Sequence, residues 1–248
     1  MQDRGVEVTR MDDSIESAAA ALPLFKGLAR AARTRLVQHA VVHSVAPGTV
    51  LFEQGALPNF QHVVLEGSVH LFGRSSEERE VLIEIVRPPD LVIPAAVVTG
   101  SPYLMQARVL EASRFLLIQA AAFRAAVLEE PALAHAMIGS LAGQFRRMVR
   151  QIKNLKLRSS AQRVGCYILA LSHRQRTPRQ AVLPYEKNLI ASELGITRES
   201  FSRALTALQS DGIEVHGDTI AILDAERLAA ACGPDPLIDP DEANARPS

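Results

Sequence analysis

The side chains with the most chemistry in this chain fall between residues 183 and 223, LPYEKNLIASELGITRESFSRALTALQSDGIEVHGDTIAIL. Arg198, Glu199, Ser202 and Arg203 share one face of a predicted helix. Phe201, Ala204, Leu205 and Leu208 share the opposite, apolar face through i, i+3, i+4 and i+7 spacing. An arginine fork can take guanine O6 and N7 together, and a carboxylate can accept from cytosine N4. Glu199 lies four residues before Arg203, a spacing that lets it hold the guanidinium in place. Thr197 can cap the helix, and Glu199 in the first turn suits the helix dipole. Lys187 opens the preceding short helix and is placed for a backbone phosphate rather than a base.

Those side chains need elements to position them. Glu186 to Leu194 reads as a short helix with Leu189, Ile190 and Leu194 inward, and Gly195 supplies the tight turn that follows. Helix, glycine turn and second helix make a helix-turn-helix. Ile213–Val215 and Thr219–Ile222 then flank His216-Gly217-Asp218, a hairpin signal that makes a wing.

Upstream, Ile138, Leu141, Phe145, Met148, Ile152 and Leu155 recur at spacings of 3, 4, 3, 4 and 3, with Pro131 in the first turn. Residues 131–163 contain seven Lys or Arg side chains and no acid. A narrow apolar seam within a basic surround predicts a dimerisation helix over 131–158, its basic end near something anionic. From about Leu22 to Leu128 the pattern is strand-like instead. Thr49–Phe52, His62–Leu65, Ser68–Phe72, Val81–Val86 and Arg114–Ile118 are separated by Gly and Pro turns, as in an antiparallel barrel or sandwich. The expected organisation is an N-terminal arm over 1–20, a β-roll over 21–130, the dimer helix, a DNA-binding domain over 159–232 and a disordered tail over 233–248.

Gly195-Ile196-Thr197-Arg198-Glu199-Ser200-Phe201-Ser202-Arg203 resembles the Gly-x-[ST]-x-Glu-x-x-[SG]-Arg recognition helix of the cyclic-AMP receptor protein/FNR superfamily of bacterial transcription regulators. Pro47-Gly48-Thr49-Val50-Leu51-Phe52-Glu53-Gln54-Gly55 and Leu65-Glu66-Gly67-Ser68-Val69 are similar to the glycine-bearing turns of that superfamily's cyclic-nucleotide-type β-roll. The resemblance implies an α+β fold: an N-terminal cyclic-nucleotide-binding-type β-roll, a long dimerisation helix and a C-terminal winged helix-turn-helix. It also implies a homodimer on a double-stranded DNA operator with an inverted repeat of TGA-containing half-sites, and RNA polymerase as a partner if the protein activates. Ser202-Arg203 with Glu199 is the FNR-like variant, whereas Arg198 resembles the cyclic-AMP receptor's arginine.

The family's nucleotide cassette is altered. Ile93-Pro94 stands where the resemblance places a ribose-binding Gly-Glu, and Met105 where it places the phosphate-binding arginine, with Arg108 on the strand's other face. A buried cyclic phosphate without a cationic partner is strongly unfavourable, so cyclic AMP is not the expected effector. The family's iron–sulfur sensors use an N-terminal cysteine set, and no cysteine here precedes Cys166, which argues against that cluster. Leu91, Val92, Ile93, Pro94, Met105 and Gln106 then line an apolar pocket with two readings. One is haem or another apolar effector, with His39, His43, His62, His70, His135 or Met105 as axial ligands. The other is a pocket filled with side chains and a regulator independent of effector.

Composition bounds the remaining classes. In 248 residues, 27 Lys+Arg balance 27 Asp+Glu, so DNA contact must come from a local patch rather than bulk charge. Two cysteines point to a reducing, cytoplasmic compartment, and no apolar run reaches the length of a membrane span. No GxxxxGK[ST], HExxH, GxSxG or GxGxxG motif supports an enzyme. A cyclic-nucleotide-type interaction module without DNA binding is the third class, and the polar face of residues 198–203 argues against it. No metal site is expected.

Overall fold

The computed structural model describes residues 15–16, 19–76 and 80–239. The arm expected over residues 1–20 lies mostly outside them, although Ala19 is already fully buried in the core. The chain divides into two compact units, residues 1–144 and 145–248. The division falls inside the long helix, so that helix belongs half to each unit instead of forming a segment of its own.

The first unit is built on two antiparallel sheets. One has β1 (Val41–Val45), β7 (Ser113–Gln119) and β3 (Phe60–Glu66) in that order, and the other β2 (Val50–Phe52), β6 (Gln106–Arg108), β4 (Val69–Arg74) and β5 (Glu80–Val86). All five predicted strands are present. β1 and β6 were not expected: His43 and Ser44 break the apolar run of β1, and β6 is only three residues long. The chain passes from β3 in one sheet to β4 in the other through a turn at Gly67, φ +78, where an added Cβ would lie 2.2 Å from Ser113 Oγ and 2.7 Å from the Ala112 carbonyl. Only a residue without a side chain fits there.

Inside the roll, Val64, Val69, Leu71, Val86, Val92, Ala107, Val109 and Phe115 form one buried cluster. A second cluster joins Val63, Leu91 and Leu116 to helices α1 (Arg30–Val37), α2 (Pro94–Thr99), α3 (Ala120–Glu129) and the start of α4 (Pro131–Leu157), through Leu36, Val97, Phe123, Leu133 and Met137.

In the second unit α5 (Ser160–Gln175) begins with a capping box: Ser159 accepts from the Gln162 amide, and Gln162 reaches back to the Ser159 amide. Helices α6 (Lys187–Glu193) and α7 (Arg198–Leu208) follow, then the wing strands β9 (Ile213–His216) and β10 (Thr219–Ile222), and α8 (Ala225–Cys232). The wing is a three-stranded antiparallel sheet, β8 (Gln180–Val182), β10, β9, and thus carries one strand more than the expected hairpin. Cys166 and Cys232 are buried in its core, and burial raises their thiols to about 12 and about 11, so neither is a reactive nucleophile at neutral pH.

The tail expected to be disordered from residue 233 is corrected for its first part. Residues 233–239 fold into a turn against the second unit, held by Arg158. Composition suggested disorder because it cannot show a single buried ion pair. Residues 240–248 lie outside the described residues.

Candidate functional site

The reading head is built from the glycine turn outward. Gly195 has φ +64, and an added Cβ there would stand 2.5 Å from Leu155 Cδ2. Position 195 therefore favours glycine for its left-handed conformation, while the nearby Leu155 methyl is the movable end of an exposed side chain. The turn's carbonyls are held by Arg163, whose Nη1 donates to Leu194 O at 2.6 Å and Gly195 O at 3.3 Å. Thr197 caps α7 by accepting from the Ser200 amide at 3.2 Å. Phe201, Ala204, Leu205 and Leu208 are buried, which fixes the helix on α5 and leaves Arg198, Glu199, Ser202 and Arg203 exposed together.

Within that face the pairing differs from the expected Glu199–Arg203 brace. Arg203 Nη2 donates to Ser200 Oγ at 3.1 Å. The Glu199 carboxylate turns back on the helix start, where its own amide and the Thr197 side chain hold it below the usual carboxylate range. An exposed ion pair is weak, and the free N–H groups of a helix start compete with it. Ser200 was missed, although its place three residues after the cap and three before Arg203 was legible. Lys187 is the first residue of α6 and is half-buried.

Along α4 the apolar seam divides. Ile138, Phe145, Met148 and Ile152 are 66%, 61%, 52% and 46% exposed, a stripe with no cover among the described residues. Leu141 instead packs on the first unit's core, whereas Leu155 is still 42% exposed with one methyl against Gly195. Heptad spacing alone cannot separate a residue facing a second chain from one at the stripe's margin. The expected anion near the helix's basic end is in part the chain's own: Lys153 Nζ lies 3.8 Å from Asp235, and Arg158 pairs with Asp239.

The six residues expected to line a pocket do not converge. Leu91 belongs to the cluster shared with the helices, whereas Val92, Ile93 and Met105 pack in the roll. Pro94 is buried as the first residue of α2, and Ile93 before it adopts φ 41. That left-handed conformation is costly for a β-branched residue and natural for glycine. Gln106 points elsewhere, donating to Glu53 Oε2 at 2.6 Å. It opens on a cavity of about 260 Å3 lined also by Phe72, Arg74 and Glu80. Arg108 shares that side, bonding Glu80 at 2.6 Å and lying 4.9 Å from the Phe72 ring centroid.

Of the histidines weighed as ligands, His39, His43 and His135 are exposed, and His62 and His70 are buried on strands of different sheets. Burial lowers both buried imidazoles to about 4; for His70 the neighbouring Arg87 adds to the shift and Glu111 opposes it. Among the described residues no group of three or more His, Cys, Asp or Glu is placed to hold a metal ion, and no helix is long and apolar enough to cross a membrane.

Comparison with known proteins bears on both units. Residues 42–130 match the family model of the cyclic nucleotide-binding domain, and residues 162–231 match that of the Crp-like helix-turn-helix domain. Together they span more than half of the chain. A curated relative, the CRP-like cAMP-activated global transcriptional regulator of Mycobacterium tuberculosis, is 24% identical over 211 residues, 83% of this chain and 94% of the relative. Two solved structures show the same fold. A candidate transcriptional regulator of the CRP/FNR family from Eubacterium rectale has a TM-score of 0.70 at 20% identity, covering 86% of this chain and 98% of that one. The c-di-GMP responsive global regulator CLP of Xanthomonas campestris has a TM-score of 0.67 at 17% identity, covering 79% and 100%.

Proposed function

The chain belongs to the CRP/FNR family of transcription regulators, and from that premise we propose that it acts as a homodimer on an inverted repeat of TGA-containing half-sites in double-stranded DNA. It is a regulator with a helix-turn-helix DNA-binding domain, not an enzyme. The observation that carries the operator reading is the polar face of α7, with Arg198, Glu199, Ser202 and Arg203 exposed at its N-terminal end. That end of a recognition helix enters the major groove, where an arginine fork reads guanine. The uncovered stripe of Ile138, Phe145, Met148 and Ile152 supports pairing of two chains along α4. Two chains present two reading heads, which matches an inverted repeat. RNA polymerase is a further partner where the site lies so as to activate, and such a regulator works in the cytoplasm.

For the effector, the reading favoured is a β-roll whose cyclic-nucleotide cassette no longer serves cyclic AMP. Its support is the packing of Leu91, Val92, Ile93 and Met105 into core clusters and the engagement of Arg108 by Glu80 and Gln106. Haem is the alternative ligand, with His62 and His70, both buried, as the candidate histidines. The test is an anisotropy titration of an inverted TGA-repeat duplex and a scrambled duplex, with and without millimolar cyclic AMP. Preference for the repeat that is indifferent to cyclic AMP is expected. A preference that appears only with cyclic AMP contradicts the effector reading, and no preference in either condition contradicts the operator reading.

A further inference from the structure

The joint between α4 and α5 carries a buried ion pair that the DNA-reading face does not itself require. Arg158 lies between the last residue of α4 and the capping Ser159, and its side chain is only 5% exposed. Its Nη1 donates to Asp239 Oδ1 at 2.7 Å and to Asn154 Oδ1 at 3.2 Å, and its Nη2 to Asp239 Oδ2 and to Gly233 O at 3.3 Å. The segment that supplies Asp239 is itself built for the purpose. Asp235 Oδ1 accepts from the Leu237 amide at 2.8 Å, Asp239 Oδ2 accepts from the Asp235 amide at 3.0 Å, and Asp235 O accepts from the amides of Ile238 and Asp239. Asp235 also faces Lys153.

What this joint holds is the turn of the reading head. Leu155, three residues before Arg158, packs against Gly195. Arg163, five residues after it, holds the Leu194 and Gly195 carbonyls. The helix-turn-helix turn therefore rests on the two helix ends that Arg158 joins. A buried guanidinium that loses its carboxylate is strongly unfavourable and will seek water, and the movement passes to Leu155 and Arg163.

We propose that Asp239, supported by Asp235, is a positioning residue for operator recognition: by pinning Arg158 it fixes the α4–α5 joint against which the 194–197 turn and α7 are set. The clasp has an electrostatic consequence too. It neutralises Lys153 and Arg158, which released would add sequence-independent attraction to phosphate. Clasping thus favours the operator over other DNA from both sides. The operator half of this inference rests on the reading proposed above, and the exchange half does not.

The experiment uses the full chain with Asp239→Asn and Asp235→Asn. Amide hydrogen exchange of the free protein should show faster exchange for Asp239→Asn at residues 155–163 and 192–197, with the wing at 213–222 unchanged. Asp235→Asn should give a smaller change at the same places. On the inverted TGA-repeat duplex, Asp239→Asn should bind on the order of tenfold more weakly, while its affinity for scrambled DNA holds or rises. Asp239→Glu should recover part of the loss. Unchanged exchange at the joint and turn, or a rise of equal size across residues 145–232 in both variants, overturns the proposal. So does wild-type operator affinity in a folded Asp239→Asn. If the unmodified chain fails to prefer the repeat, the operator reading falls and the exchange comparison still decides the clasp.

Discussion

Arg203 and Lys187 separate base reading from phosphate anchoring. Arg203→Ala should cost about 1–3 kcal/mol per half-site and relax preference at one G·C pair. Lys187→Ala should weaken all duplexes alike and flatten the salt slope by about one charge per subunit. Titrations on operator and scrambled DNA at several salt concentrations check both, and equal losses for Arg203→Ala on the two duplexes contradict its role as a reader. The polar face was legible because helical spacing gathers 198, 199, 202 and 203 on one side. The bonds within that face were not, because competition between Arg203 and the open N–H groups for Glu199 turns on local geometry. The Arg158–Asp239 pair spans 81 positions and leaves no periodic mark. His62 and His70 give a second prediction. Their folded pKa values near 4 lie below the ordinary 6.5, so the unfolded chain binds protons first as pH falls. The stability from keeping them neutral is complete above pH 6.5 and is lost as pH falls toward 4. At pH 5 each should have cost about 2 kcal/mol relative to pH 8. Urea unfolding at the two pH values should show that loss, and His62→Gln should remove about half of it. A pH-independent midpoint for the β-roll contradicts the burial of these imidazoles as neutral groups.

At the scale of elements the long helix is the clearest case. The helix itself was legible from its 3-4 seam and from Pro131 in the first turn, and it runs Pro131–Leu157, with the capping box at Ser159 opening the next helix. Its seam was only partly legible. The spacing named six residues, and five of them are exposed, Leu141 alone being drawn into the first unit's core. Met148→Asp or Ile152→Asp places a charge in the stripe that a second chain would cover, and should cost several kcal/mol of dimer stability. Sedimentation at micromolar concentration should then find monomers, with the helical circular dichroism of each unit retained. Dimers that persist in both variants contradict pairing along α4. Short strands were the least legible elements. β6 (Gln-Ala-Arg) and β8 (Gln-Ala-Val) lack the apolar run that marks the equally short β2, and only their partners reveal them.

Over the whole molecule the order of β-roll, long helix and winged helix-turn-helix was readable, because turn glycines, strand alternation and helical periodicity change at distinct places along the chain. The candidate pocket was not. Leu91, Val92, Ile93, Pro94, Met105 and Gln106 are close in sequence, yet they divide among two core clusters and a separate polar cavity, a division that only packing decides. DNA reading is the claim on which the rest depends, since the dimer stripe, the clasp and the wing matter through it. The most direct measurement is a binding titration of the full chain on a labelled inverted TGA-repeat duplex against a scrambled duplex of equal length, repeated with Arg203→Ala. Two chains should bind each repeat duplex, more tightly than scrambled DNA, and the preference should fall in the variant while scrambled binding stays unchanged. Equal affinity of the unmodified chain for the two duplexes, with the same salt slope, contradicts DNA reading.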